Sequence, residues 1–404
     1  MTSLTAGQSL LLNNRLWHLR QVRPRSARVL ELEAIGASEA AQGMARRLQA
    51  IVLGRHLFIA RPRRDYWQAN LDQDWQPGDF GPVLACRPAT RLDLLDAFTQ
   101  QPPAGDLPNE FSWSFSRQAL YQKCPRAYYY HYYAAWEGWQ ADAPEPVRQT
   151  YLLKNLTNIP AWTGQLVHDA IKFALGRRPA GGPATPTEVA AQMHRRARAD
   201  FRASQAGHFL RQPNQQVGFR EHYYRESAPP AAWREAWQNA RRYLLTFFNS
   251  ALVGQFAPDS FLSVEALHSF TVEGVKIWVQ IDLACREPDT VHLYDWKTGP
   301  IDEDSARQQL GIYALFAHRT WPEHIRGPIR GTVLGLADGR RIDFEFAPAD
   351  LQAVQSTIAA NIAGLQALLL QPAQANLAEL RRFPQIPNGE VCRQCQFKAL
   401  CGRD

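Results

Sequence analysis

The chain has 404 residues, more than one small domain needs, and its 45% hydrophobic and 21% charged residues are ordinary for a globular protein. No apolar run reaches the length of a membrane span, and the opening MTSLTAGQSLLLNNRLWHLRQ has no basic segment ahead of its short Leu cluster. No membrane partner and no signal peptide are therefore expected, and a cytoplasmic location is. The formal charge of +7 favours a polyanionic partner, although such an excess also serves solubility alone.

Residues 1–108 read as an accessory region with a terminal linker. It has β-like stretches at 16–32 and 51–60, a helix around 38–48, and a turn-rich WQPGDFGP at 75–82. QQPPAGDLPN at 100–109 discourages any regular element. This region carries no chemical motif. Residues 109–404 read as a second, α/β domain. SFSRQALYQKCPRAYYYHYY starts a helix capped by Ser114 or Ser116 and interrupted at Pro125. GQLVHDAIKFAL at 164–175 is a helix with Val167, Ile171, Ala174 and Leu175 on one face. A helical insertion spans about 176–250: PAGGPATP at 179–186 is a flexible loop, and helix runs from 187 to 248 with a break near 227–230.

The pattern then changes. Strands are expected at 261–270, 275–284 and 291–296, with short turns at Glu273–Gly274 and at 287–289. A helix at 304–320, a hairpin at 330–337 and 341–346 around Asp338–Gly339, and a helix at 349–370 follow. Helices and strands in this order build an α/β core with a mixed sheet.

The sharpest chemistry lies in VQIDLACREPDTVHLYDWKTG. Asp295 and Lys297 are two apart on one strand and share a face, and the turn before them can bring Asp282 to the same face. Two close carboxylates repel unless a cation joins them, and hard Mg²⁺ or Mn²⁺ favours oxygen ligands. An exposed strand with a salt bridge has the same spacing, because D-x-K is a common tripeptide. His168 on the upstream helix could add a nitrogen ligand, although a lone helical His is more often a surface residue. Gln309 and Tyr313 are spaced i, i+4 and point the same way, which core packing and solvation would also allow.

GQLVH, QID, DWK and QLGIY together resemble the PD-(D/E)XK nuclease superfamily and its RecB-like branch. The resemblance implies a restriction-endonuclease-like core in which a mixed sheet is flanked by helices. It implies that His168, Asp282, Asp295 and the backbone carbonyl of Trp296 hold the metal, that Lys297 is the catalytic lysine, and that Gln309 and Tyr313 position the lysine or the phosphate. Glu265 sits where the family often has a further acid. Val279 stands where the branch usually has glycine.

Six cysteines are present, and Cys392, Cys395 and Cys401 form C-x₂-C-x₅-C in the tail at about 384–404. Three thiolates there can converge on one centre, with Cys124, Cys285 or Cys86 as a fourth. Cys285 ends a strand and reads as a small buried hydrophobe. Cys124 in YQKCPRAYYY, paired with that tail, resembles the iron–sulfur subgroup of the same branch, the AddB and CRISPR-adaptation nuclease type. The resemblance implies a 4Fe–4S cluster on Cys124, Cys392, Cys395 and Cys401; a zinc site would use the same four ligands. The tyrosines would pack around the cluster.

HRRARADFR at 194–202, Arg177 with Arg178, and Arg241 with Arg242 could line a groove for a DNA backbone, or form solvated helix faces. The expected function is a metal-dependent DNA nuclease, exonuclease more than endonuclease, acting on single-stranded DNA or DNA ends in repair or in anti-phage or CRISPR-type processing. No helicase motif is present, so a helicase or a defence-system protein is the expected partner. The alternative is a non-catalytic nucleic-acid-binding subunit of a nuclease–helicase complex.

Overall fold

The computed structural model describes all residues except 1–3, 14, 37–45, 62–64, 79–81, 106, 108, 177–183, 227, 373–374 and 404. The chain divides into two compact units. The first is drawn from Met1–Glu110, Lys123–Lys154 and Leu368–Asp404, and the second from Phe111–Gln122 and Asn155–Ala367.

The first unit is built on nine strands: Ser9–Leu12 (β1), Arg15–Pro24 (β2), Val29–Gly36 (β3), Arg46–Leu53 (β4), His56–Ala60 (β5), Tyr66–Asn70 (β6), Trp75–Gln76 (β7), Val83–Ala85 (β8) and Arg87–Ala89 (β9). They form one sheet in the order β7-β8-β1-β2-β3-β4-β5-β6-β9. Alternate residues such as Leu10, Leu12, Trp17, Leu19, Leu32, Ala34, Leu57 and Ile59 make its core. The expected helix around 38–48 falls mostly outside the described residues, and 46–48 belong to β4, which pairs with β3 from Arg46↔Ala34 to Ile51↔Val29. Gly54, at φ +56°, makes the tight β4–β5 connection.

The tyrosine run is core in this unit. Cys124 precedes a short helix, Pro125–Tyr129, with Pro125 in its first turn, and a π-helical turn follows at Tyr130–Ala134. Tyr128, Tyr129 and Tyr133 surround the buried Phe383 with ring centroids 6.2, 5.5 and 5.5 Å away. The buried Tyr129 hydroxyl meets Thr99 Oγ1 at 2.8 Å.

The second unit holds the mixed α/β core, of restriction-endonuclease-like type. Its main sheet uses Ser112–Trp113 (β10), Phe261–Val272 (β13), Val275–Arg286 (β14), Val291–Lys297 (β15), Ile329–Gly335 (β16) and Arg341–Phe346 (β17), while Leu156–Thr157 (β11) and Gly218–Phe219 (β12) form a separate pair. β14 pairs antiparallel with β13 along its length; its other edge takes β10 in parallel at the start and β15 antiparallel at the end. β15 then pairs parallel with β16, and β16 antiparallel with β17. The Ile159–Gly176 helix buries Val167, Ile171, Ala174 and Leu175, the expected face, in a core shared with Leu283, Tyr294 and Trp296. The helices Pro186–Gln205 and Pro230–Asn249 pack into the same core.

The insertion is interrupted more widely than expected. Gly207, at φ +73°, ends the first helix, and a 3₁₀ turn, β12 and a four-residue helix at Arg220–Tyr223 occupy the gap before Pro230. Gly218 permits this path, because a Cβ there would lie 2.5 Å from the Phe209 ring. The Arg177 and Arg178 pair lies outside the described residues. The helix expected at 349–370 stops at Gln366, and Leu369–Gln371 is a short strand. Among the described residues no helix is long and apolar enough to cross a membrane.

Candidate metal centre

The register of the sheet places three acids in a row. In β13–β14, Val264 pairs with Leu283 and Ala266 with Ile281, so Glu265 stands opposite Asp282. In β14–β15, Leu283 pairs with Tyr294, so Asp295 is the next neighbour of Asp282. All three are buried, at 6%, 6% and 2% exposure, which would be costly without positive charge nearby. His168 supplies some of it. Its Nδ1 is 2.9 Å from Glu265 Oε1 and 3.6 Å from Asp282 Oδ1, and its Nε2 is 3.1 Å from the Trp296 carbonyl oxygen. Burial alone would lower the His168 pKa, but Asp282, Glu265 and Asp295 together outweigh it and raise it to about 9. Burial, with Asp295 and Glu265 alongside, pushes the Asp282 pKa well up against the pull of His168.

The donor set fits a divalent ion. His168, Glu265 and Asp282 each offer a ligand atom within 4.8 Å of the others. Asp282 uses its second oxygen to accept the Trp296 backbone N–H at 2.7 Å, which fixes the carboxylate. Asp295 Oδ2 lies 2.8 Å from Lys297 Nζ, yet it is buried without an aligned hydrogen bond, leaving an acceptor for a cation.

Lys297 sits beyond the acids. Its Nζ also donates to Gln309 Oε1 at 2.7 Å, and Gln309 Nε2 donates to the Tyr313 hydroxyl at 2.6 Å. The structure thus brings together His168, Asp282, Asp295, Trp296, Lys297, Gln309 and Tyr313, all singled out in the sequence. Burial, then Asp295 and Asp282, pushes the Tyr313 pKa well up, so its hydroxyl stays protonated. A cavity of about 600 Å³ opens over these groups, and Val279, at the position discussed above, lines it with Trp278, Gln165 and Thr298. The Phe115–Lys123 helix borders it through Phe115 and Ser116, as does Ser114 just ahead of the helix, whose Oγ accepts the Arg117 N–H.

Two features carried little or no weight in the sequence. Glu265 is in the tight cluster itself, and its backbone sits at φ +44°, a strained conformation for a residue with a side chain. Lys172 Nζ donates to the Glu265 carbonyl at 2.9 Å and holds that backbone. The signal for Lys172 was its i+4 spacing from His168 on one helix.

The family model described as the PD-(D/E)XK nuclease superfamily matches residues 112–402, well over half of the chain. The chain belongs to the PD-(D/E)XK nuclease superfamily. That membership supports a metal-dependent nuclease. No curated protein sequence matches the chain. Among solved structures it is similar to one titled "Crystal structure of SSO0001", with 18% identity over 45% of this chain and 77% of that one; the TM-score of 0.23 carries nothing about the site.

The first unit of this nuclease gathers the thiols of the sequence motif. Cys124, Cys392, Cys395 and Cys401 are free cysteines. Burial raises the Cys395 pKa to about 11; the Phe397 N–H opposes that, and Cys401, Cys124 and Cys392 add to it, so the Cys395 thiol senses the other three. Arg403 Nη1 lies 2.7 Å from Cys392 Sγ. Burial also raises the Cys401 pKa, while Tyr130 and Arg126 hold it down. Thiols that influence one another, with Arg403 beside Cys392 and Arg126 beside Cys401, suit a group that demands thiolate. Cys285 is buried in β14 and Cys86 is in the N-terminal region.

Proposed function

We propose that this chain is a Mg²⁺- or Mn²⁺-dependent deoxyribonuclease that hydrolyses phosphodiester bonds in single-stranded DNA or at DNA ends, as an exonuclease in preference to an endonuclease. The observation that carries this reading is the convergence of His168, Glu265 and Asp282 beside the Asp295–Lys297 pair. His168, Glu265, Asp282 and Asp295, with the Trp296 carbonyl, would hold the ion. The bound ion supplies a Lewis acid for the scissile phosphate. Lys297 has three N–H donors; Gln309 takes one, Asp295 pairs with the ammonium as a counter-charge, and the remaining N–H groups can meet the negative charge that grows on phosphorus-bound oxygen. Gln309 keeps its carbonyl toward Lys297 because Tyr313 occupies its amide N–H. In the net reaction water adds to phosphorus, the bond to the sugar oxygen breaks, and that oxygen leaves with a proton.

A 4Fe–4S cluster on Cys124, Cys392, Cys395 and Cys401 would tie the tail to the tyrosine helix. DNA repair or anti-phage DNA processing, with a helicase or defence-system partner, is the setting that fits such a nuclease. The test is degradation of labelled single- and double-stranded DNA with Mn²⁺ or Mg²⁺, comparing wild type with Lys297→Ala. The variant is expected to lose about 10²–10³-fold in rate. Equal degradation by the two proteins removes the catalytic assignment. Iron and sulfide in anaerobically purified protein test the cluster; zinc without iron removes it.

A further inference from the structure

One turn of the Ile159–Gly176 helix grips Glu265 at both ends. His168 Nδ1 lies 2.9 Å from the carboxylate at Oε1, and four residues further along Lys172 Nζ donates to the Glu265 carbonyl oxygen at 2.9 Å. The residue held in this way is unlike its neighbours. Val264 and Ala266 pair regularly with Leu283 and Ile281, yet Glu265 between them sits at φ +44°, in the left-handed region that residues with a side chain disfavour. Among the described residues β13 has one strand partner, β14, so no second strand fixes this backbone. Lys172 does so with an ammonium on a carbonyl oxygen, a charge-assisted hydrogen bond stronger than the neutral ones of a ladder. Its bond goes to the main chain, which leaves the buried Glu265 carboxylate to face His168 and Asp282.

We propose that Lys172 is a positioning residue of the metal centre: by holding the Glu265 carbonyl it keeps the Glu265 carboxylate in the ligand set, and so raises the affinity for the divalent ion. The proposal rests on the metal centre of the nuclease reading and adds what sets its affinity. The carbonyl and the side chain leave the same Cα, so the backbone conformation decides where the carboxylate points. A left-handed conformation persists in a residue of this kind only when its surroundings impose it. Released, the backbone relaxes towards the extended region and carries the carboxylate away from His168 and Asp282. The sign of the effect separates this role from a plain charge effect. An ammonium near the site repels a cation, so removing it tightens metal binding if charge is all that Lys172 brings. Removing it weakens metal binding if the bond to Glu265 is what matters.

The test is Mn²⁺ binding to the full chain without DNA, read by calorimetry and by the EPR signal of free Mn²⁺, with melting in EDTA as the check on folding. Lys172 stands at an exposed helix position, and its lost bond and the relieved strain oppose each other, so Lys172→Met should melt close to wild type. It is expected to raise the Mn²⁺ Kd about tenfold, the lower end of what losing a partner behind a metal ligand costs. Lys172→Arg, which can still donate to the carbonyl, should restore most of the affinity. In a Glu265→Gln background Lys172→Met should change the Kd no further. A Kd for Lys172→Met that is unchanged or lower, an equal loss in Lys172→Arg, or the same tenfold loss in the Glu265→Gln background overturns the positioning role. In each of those cases Mn²⁺ binding by wild type leaves the metal centre of the nuclease reading in place. No Mn²⁺ binding by wild type removes both.

Discussion

Replacing Asp282 by Asn should make the metal-free protein more stable and the metal-loaded protein inactive. Asp282 Oδ1 lies 3.6 Å from His168 Nδ1, an attraction of about 5 kcal/mol at an effective dielectric of about 20. A Glu265 oxygen lies within 4.8 Å of the Asp282 ligand oxygen, a repulsion of at least about 3.5 kcal/mol on the same basis. Asp295, its cross-strand neighbour, adds more repulsion. The charge terms therefore nearly cancel, and the cost of dehydrating a buried carboxylate decides the sign. Asn keeps an oxygen for the Trp296 N–H and removes the charge. A net gain of about 1–3 kcal/mol follows, or roughly 3–10 °C in a unit of this size. Wild type should gain about 2.7 kcal/mol when Mn²⁺ is raised to 100 times its Kd, and the variant far less. Thermal unfolding after chelation, with and without added Mn²⁺, reads both effects. A variant that is less stable than wild type without metal, yet shows the full Mn²⁺ shift, would refute the reasoning.

Cys124→Ser should purify without the full complement of iron and sulfide, and the first unit should melt earlier; closing the loop from 124 to 392 contributes about 5–6 kcal/mol in the chain-entropy account. Asp96 accepts the Leu380 N–H at 2.7 Å, and burial raises its pKa above the usual carboxylate value. The folded state then holds the proton more tightly than the unfolded one, so this group's stabilisation is full below its unfolded pKa and falls as pH rises through the folded value. Asp96→Asn should melt higher than wild type at pH 7, with the difference vanishing at acid pH. Arg195, Arg198 and Arg202 are exposed on the Pro186–Gln205 helix. If they contact phosphates, changing all three to Gln should reduce the slope of log K against log salt for single-stranded DNA by about 2; an unchanged slope makes them a solvated face.

Much of the centre was legible because it obeys local periods. Asp295 and Lys297 share a face through the period of two, and Gln309 and Tyr313 through i, i+4. Glu265 was harder to see, since it owes its place to a partner strand. The information was nevertheless present: Glu273 and Gly274, at φ +49° and +74°, form a two-residue turn, and counting back equally from it sets Glu265 against Asp282. His168 reaches the cluster through helix packing against the sheet, which no spacing in the chain reports. The N-terminal sheet was only partly legible. Its longer hydrophobic strands stood out, but two- and three-residue strands such as β7, β8 and β9 exist only through their partners.

The first unit is assembled from stretches that lie on both sides of residues 155–367, which make up most of the second unit. On a ribosome adding about 5–20 residues per second, the tyrosine helix waits on the order of ten to fifty seconds for residues 368–404 to emerge. Phe383, the ring that three of those tyrosines enclose, arrives near the end of that interval. A transcript cut short before this point would release a catalytic half whose companion has an open, sticky interior, so quality control by chaperones and proteases has a natural means of discarding incomplete copies.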